Sequence, residues 1–401
     1  MALELPVYLD NHATTRVDPR VVEAMLPYFT EDYGNANSEI HSFGGAAEQA
    51  VESSRAVIAE SIGATPEEIV FTSGATESNN LAIRGIAEHR RQRAKQIISV
   101  KTEHAAVLEP LTRLGRIGFQ IELLDVAAHG KANAGQVDME QLFDALKQET
   151  ALVSVMLANN EIGVIQPLEE IASHCHEREV PFHCDATQAV GKLPVDVNTL
   201  GVDLMSFTAH KLHGPKGVGA LYVRRKRPAL RLSPQISGGG QQSGIRSGTL
   251  NVAGIVGFAK AVQLSLSGMA QESKRLGQLR SRLDNQLREA LGPSQVILCG
   301  PDCQADDGRG NPLRLPGNLN VAFPGLDGEA IMLETPDLAV SSGAACSSTD
   351  GSPSHVLLAL GMSEDLARST VRFGLGRFNT EEEIDFAASQ IITAVTRLKQ
   401  L

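Results

Sequence analysis

His183-Cys184-Asp185-Ala186-Thr187-Gln188, followed further along by Ser206-Phe207-Thr208-Ala209-His210-Lys211, decides the reading of this chain. Each stretch starts in an apolar run and ends in polar groups. Val180 to His183 reads as a buried strand with Asp185 and Gln188 just past its end. Leu204 to Phe207 reads as the next strand, with Thr208, His210 and Lys211 just past that one. In open α/β sheets ligands bind outside the carboxyl ends of the strands. Here those ends carry a carboxylate, a carboxamide, a hydroxyl, an imidazole and an amine.

The flanking sequence repeats the pattern. Short apolar runs at Ile69–Phe71, Ile97–Val100, Gln120–Leu124, Leu152–Leu157 and Val218–Val223 read as strands. Helical patterns alternate with them: one after Ser78, one from Asp138 and one over Leu168–Glu177. Such alternation predicts an α/β fold with a mainly parallel sheet between helices. Earlier, Asp18-Pro19 is a helix start, with Asp as N-cap and Pro in the first turn. Phe43 to Ile62 places its apolar residues on one helical face. From about Glu272 an amphipathic helix runs to near Leu291 and leads into a smaller α+β domain. The expected division is 16–262 for the large domain and 1–15 plus 263–401 for the small one. Gly300 to Gly317, rich in Gly, Pro, Asp and Asn, reads as an exposed excursion. Thr380-Glu381-Glu382-Glu383 is a capping box that opens the last helix.

The chain has 401 residues, 42% of them hydrophobic, no Trp and a net charge of −11. Its length admits more than one domain. The acidic balance argues against nucleic acid and anionic membranes as partners. Met1 to Pro6 lacks the basic and apolar regions of a signal peptide, and no apolar run reads as long as the ~20 residues of a membrane span. Five scattered cysteines suit a reduced, cytoplasmic protein. Cys299 and Cys303 lack a supporting His or second Cys pair, and His174 and His176 point apart on a helix. No metal site is expected.

The strand-end set suits pyridoxal phosphate (PLP). That cofactor needs an amine for its aldehyde, a carboxylate to keep the pyridine nitrogen protonated, a donor at the phenol oxygen and a cradle for the phosphate. Lys211 is the amine, since its rival Lys216 lies between Pro215 and Gly217 in a tight turn. Asp185 is the carboxylate. Thr72-Ser73-Gly74-Ala75-Thr76-Glu77-Ser78 is a strand, small-residue turn and helix start, an arrangement that binds phosphate through free N–H groups. A plain helix cap at Ser73 or Thr76 is the competing reading. His104 ends a strand where an imidazole can stack on a ring and move a proton, although a lone strand-end His is more often a plain loop residue. Asn160 offers an amide to the same edge. Gly238-Gly239-Gly240 with Arg246-Ser247-Gly248-Thr249 is a glycine loop that brings a hydroxyl.

Cys346 lies in Ser341-Ser342-Gly343-Ala344-Ala345-Cys346-Ser347-Ser348-Thr349, with no large apolar neighbour to bury it. An ordinary thiol of pKa ~8.5 is already a usable nucleophile at neutral pH. Arg372, on a predicted strand, suits a substrate carboxylate or a structural ion pair.

Together these motifs closely resemble the cysteine desulfurases. Thr-Ser-Gly-Ala-Thr-Glu-Ser at 72–78, Thr-Glu-His at 102–104, Asn-Asn-Glu-Ile-Gly at 159–163 and Asp-Ala-Thr-Gln at 185–188 carry the likeness. So do His-Lys at 210–211, Arg-Ser-Gly-Thr at 246–249 and Ser-Ser-Gly-Ala-Ala-Cys at 341–346. The long cysteine loop is similar to the NifS/IscS-like group of the class V aminotransferases. The resemblance implies PLP fold type I with a seven-stranded sheet. It implies that Lys211 holds PLP as an imine, that Asp185 and Gln188 meet the pyridine nitrogen and phenol oxygen, and that His104 is the acid–base. Ala75, Thr76, Thr208 and His210 would hold the phosphate, with Thr249 reaching it from the other subunit of a homodimer. Asn160 and Arg372 would orient L-cysteine. Cys346 would take its sulfur as a persulfide, release alanine and pass the sulfur to an iron–sulfur scaffold or a thiolation acceptor.

Overall fold

Asp18 caps the first helix as expected: its carboxylate accepts the Arg20 N–H, Pro19 fills the first turn and α1 runs Pro19–Met25. A short strand β1 (Val7–Tyr8) precedes it. Helices α2 (Pro27–Thr30) and α3 (Ser42–Glu60) follow. The computed structural model describes residues 3–38, 40–90, 94–225, 229–342 and 352–400.

The expected alternation of strands and helices follows. It comprises β2 (Ile69–Thr72), α4 (Ala75–Arg90), β3 (Gln96–Val100), α5 (Ala105–Arg116), β4 (Gln120–Leu124), α6 (Met139–Ala145), β5 (Thr150–Ser154) and α7 (Leu168–Glu177). Then come β6 (Phe182–Asp185), α8 (Val197–Leu200), β7 (Leu204–Thr208) and β8 (Gly219–Val223). Two of these helices, α5 and α8, are not among those expected from the sequence. These strands form one seven-stranded sheet in the order β2-β8-β7-β6-β5-β3-β4. β8 is antiparallel to both its neighbours, and the run β7-β6-β5-β3-β4 is parallel. Because β8 reverses between β2 and β7, the carboxyl end of β2 lies on the same edge as those of β3, β5, β6 and β7. That edge collects Thr72, His104, Asp185 and Thr208.

Several strand ends differ from expectation; β2 and β7 run one residue further, through Thr72 and Thr208. β6 extends through Asp185, which pairs with Ser206 of β7, so the ladder sets its direction. β5 stops at Ser154. The Val155 and Leu157 amides still bond the His183 and Asp185 carbonyls, but the Met156 amide turns to the Glu103 carboxyl.

α9 (Val252–Leu291) starts well before the expected Glu272. Its first half carries Ile255, Phe258 and Val262 into the core of the large sheet. Its second half gives Leu276, Leu279, Leu283 and Leu287 to another apolar cluster. Among the described residues it is a helix long and apolar enough to cross a membrane, contrary to the expectation from sequence. Its apolar positions are diluted by Gly, Ala and Ser along the chain, and 56% of its most apolar window is buried within the protein.

The remainder comprises β9 (Ile297–Leu298), β10 (Asn318–Ala322), α10 (Gly328–Leu333), β11 (Leu338–Ala339), α11 (His355–Ala359), α12 (Glu364–Arg368), β12 (Thr370–Gly374) and α13 (Glu381–Leu398). β12, β10 and β9 form an antiparallel sheet, and β11 pairs with β1. The capping box at Thr380 and Glu383 is present. The excursion between Gly300 and Gly317 is not wholly exposed. Leu313, Arg314 and Leu315 are buried, and Arg314 donates to the Pro301 and Cys299 carbonyls and to Asn318 Oδ1.

Candidate active site

The β2–α4 turn forms one wall of a cavity of about 460 Å³. Thr72 Oγ1 donates to the Gly74 carbonyl and lies 2.8 Å from Ser78 Oγ. The Ser73 N–H goes to the Glu77 carboxylate, which also holds Arg246 at 2.8 Å. Ala75 and Thr76 open α4 and line the cavity. A helix start there presents free N–H groups and the positive end of the helix dipole. Gly219 on β8 makes the close approach possible: a Cβ there would sit 2.7 Å from Gly74 Cα.

Asp185, at the end of β6, is 5% exposed. One carboxylate oxygen accepts the Thr187 N–H and the other accepts Asn79 Nδ2 at 2.6 Å. Both contacts hold it in one orientation. Lys211 lies one strand over, in the turn after β7, and its Nζ donates to the carbonyls of His12 and Ala13, each at 2.6 Å. Gln188 Nε2 donates to the same His12 carbonyl. Thr208 gives its hydroxyl proton to the Val218 carbonyl, and His210 Nδ1 lies 3.1 Å from Thr14 Oγ1. All these side chains except Thr72, Ser78 and Arg246 line the cavity, along with His104, Asn160 and Lys216.

His104 is the N-cap of α5, and its Nδ1 accepts the Ala106 N–H. Burial lowers its pKa. Lys211 and His355 push the same way, and Asp185 opposes them. The ring is therefore neutral at neutral pH, and with Nδ1 an acceptor its proton sits on Nε2. His104 meets a ligand as a donor. Burial, then Lys211, holds His210 down at about 4. Glu103, wholly buried beneath the site, is pushed well above the usual carboxylate range by burial and by Asp185. Both causes favour its protonated form.

Not every expected residue reaches the cavity. Arg372 is 1% exposed and pairs with Asp10 at 2.8 Å. Its Nη1 reaches the Asn160 carbonyl at 3.4 Å, and its Nε is buried without a partner among the described residues. Thr249 is exposed and lies away from the cavity lining. Cys346 lies outside the described residues, as do positions 343–351 around it.

Sequence reasoning missed Asn79, His12 and Glu103. Asn79 carries a weak signal: a polar residue on the inward face of α4, one turn after Thr76. His12 and Glu103 carry none, because their placement follows from how β1 and β5 pack. The donor set suits PLP. A held carboxylate, an amine one strand away, an imidazole donor and a helix N-terminus converge on one cavity. Buried His12 Nε2 and Thr187 Oγ1 are without protein partners among the described residues.

The class-V aminotransferase pattern matches residues 7–386. A cysteine desulfurase IscS from an Anaeromyxobacter species is 50% identical over 399 residues, covering 100% of this chain and 95% of the relative. One from Rickettsia africae is 47% identical, covering 100% of this chain and 93% of the relative. Among solved structures, a NifS-like protein superposes with a TM-score of 0.87 at 37% identity, covering 97% of this chain and 99% of its own. SspA in complex with cysteine gives 0.76 at 34%, covering 93% and 99%. These full-length matches, together with the strand-end constellation, place the chain in the class-V aminotransferase family, among the cysteine desulfurases of the NifS/IscS type.

Proposed function

We propose that this chain is a PLP-dependent cysteine desulfurase that converts L-cysteine to L-alanine. The observation that carries the reading is Asp185, fixed by Asn79 and Thr187, facing one cavity with Lys211 and the start of α4. PLP, when bound, supplies an electrophilic carbon for the substrate amine and a ring that accepts electrons. Lys211 is the amine that holds it. Asp185 keeps the pyridine nitrogen protonated, since a hydrogen bond to a charged group is worth roughly 1.5–3 kcal/mol. Gln188 donates to the phenol oxygen. Ala75, Thr76, Thr208 and His210 hold the phosphate, with Thr249 contributed by the second subunit of a homodimer.

Asn160 orients the substrate from the cavity wall, and Arg372 acts from behind it through the contact of its Nη1 with the Asn160 carbonyl. The Cys346 thiolate takes the sulfur: an S–S bond forms, the substrate C–S bond breaks, and its electron pair stays on carbon. His104 Nε2 delivers a proton to the substrate. The persulfide then passes to an acceptor protein, such as an iron–sulfur scaffold or a thiolation relay, in the cytoplasm. In this reading residues 16–262 form the PLP-binding domain, and 1–15 with 263–401 form the domain that carries Cys346.

The test is alanine and sulfide released from L-cysteine with a reductant present. The intact protein should release both. Cys346→Ser should bind PLP and release no sulfide, and Lys211→Ala should lose the PLP absorbance and all turnover. Sulfide release retained in Cys346→Ser would overturn the assignment of the nucleophile.

A further inference from the structure

Behind Gln188 lies a second, small cavity of about 30 Å³, lined by His12, Lys192, His213, Ser265 and Glu272 among others. Lys192 projects from the turn after Gln188, and its Nζ donates to Gln188 Oε1 at 2.7 Å. His12 Nδ1 lies 3.3 Å from the same oxygen. Gln188 Nε2 donates to the His12 carbonyl, which Lys211 Nζ also meets. A carboxamide has an accepting end and a donating end of nearly equal size. A lysine ammonium can only donate, so it admits only the oxygen beside it.

We propose that Lys192 is a positioning residue that fixes the amide direction of Gln188, so that Gln188 presents N–H, never its carbonyl, to the cofactor's phenol oxygen. This rests on the PLP reading above and assigns a role to a lysine that does not line the main cavity. Nε2 carries two hydrogens. One is used at the His12 carbonyl, and the other remains for the ligand. With Lys192 removed, the amide can turn and set its carbonyl against a phenolate, a contact of two acceptors. Burial and the nearby Lys211 lower Lys192 to about 7, with Glu272 opposing. The neutral amine also donates but carries a lone pair that can accept, so the ammonium form fixes the direction most firmly, and the Gln188 Nε2 contact to the His12 carbonyl supports the same orientation. The groups around Lys192 that bear on any titration are Lys211 and Glu272, together with His12, His210 and His213.

The experiment is a spectrophotometric pH titration of the PLP–lysine imine band in the holoenzyme, with no substrate. A donor at the phenolate weakens its hold on the imine proton, so losing that donor raises the imine pKa. Lys192→Met should raise it by about one unit, equivalent to about 1.4 kcal/mol. Lys192→Gln, which imposes no amide direction, should raise it too and serves if the first variant does not fold. Lys192→Arg, another donor-only side chain, should restore the parent value. In a Gln188→Ala background, Lys192→Met should add no further shift. An unmoved titration in Lys192→Met or Lys192→Gln, with Gln188→Ala shifted, overturns the proposal. Absence of the band in the intact protein is a different result and overturns the PLP reading itself.

Discussion

At the scale of single residues, the site depends on which buried groups are charged. Asn79 donates to Asp185 at 2.6 Å. Losing a hydrogen bond to a charged group costs roughly 1.5–3 kcal/mol, so Asn79→Ala should weaken PLP binding by about 10- to 100-fold, measured by fluorescence titration of the apoprotein. Glu103 gives a pH prediction. Its pKa is raised in the fold by burial first and by Asp185 second, against ~4.3 unfolded. Between those two values the folded chain holds a proton that the unfolded chain has released, so stability falls as pH rises through that window. Glu103→Gln is neutral at every pH. Its urea midpoint should match the parent near pH 4 and exceed it increasingly toward pH 8. A difference independent of pH would show that Glu103 is not held neutral. His104 was readable as a candidate from its strand-end position. That its proton sits on Nε2 was not, because the reason is a helix cap.

At the scale of elements, the phosphate cradle depends on two chain segments in near contact. β8 runs antiparallel beside β2, and Gly219 brings it against the Gly74 turn. Gly219→Ala places a Cβ 2.7 Å from backbone that cannot move cheaply. It should weaken PLP binding more than it lowers stability, with free phosphate ceasing to compete with PLP for the apoprotein. Equal binding by the variant would remove the turn from the cradle. Elements with strong local signals were legible. Asp18 caps α1 and the box at Thr380 opens α13, because both signals act within four residues. The start of α9 was not legible. Val252 to Val262 is rich in Ala and Gly as well as apolar residues, so no amphipathic stripe marks it. Its packing against α3 and the large core makes it helical.

At the scale of the molecule, α9 joins two apolar cores, and Arg377 clamps the joint. Its guanidinium reaches Glu272 at 2.9 Å, Asp18 at 3.1 Å and Ser265 Oγ at 3.0 Å. Breaking a buried pair by removing one partner costs 3–5 kcal/mol. Asp18 keeps Arg20 at 2.8 Å, so Arg377→Met should cost about 2 kcal/mol in urea unfolding. Because Arg275 and the α9 leucines still hold the small sheet, the variant should keep its fold and its circular dichroism. A neutral result would mean that the apolar contacts of α9 alone hold the joint.

The primary structure alone settles the α/β class, the alternation of strands and helices along the chain and the identity of the strand-end groups. Periodicity, caps and turn residues are local, and residues at the end of a buried strand must face the sheet edge. Asp185, Lys211, His104 and Gln188 are therefore legible in the sequence as strand-end groups. Packing settles what surrounds them. Asn79 on Asp185, His12 between Lys211 and Gln188 and Asp10 on Arg372 are contacts between segments far apart in sequence. No local pattern encodes such pairings. They form because burying the apolar faces of the helices against the sheet leaves those polar groups with no partners but one another.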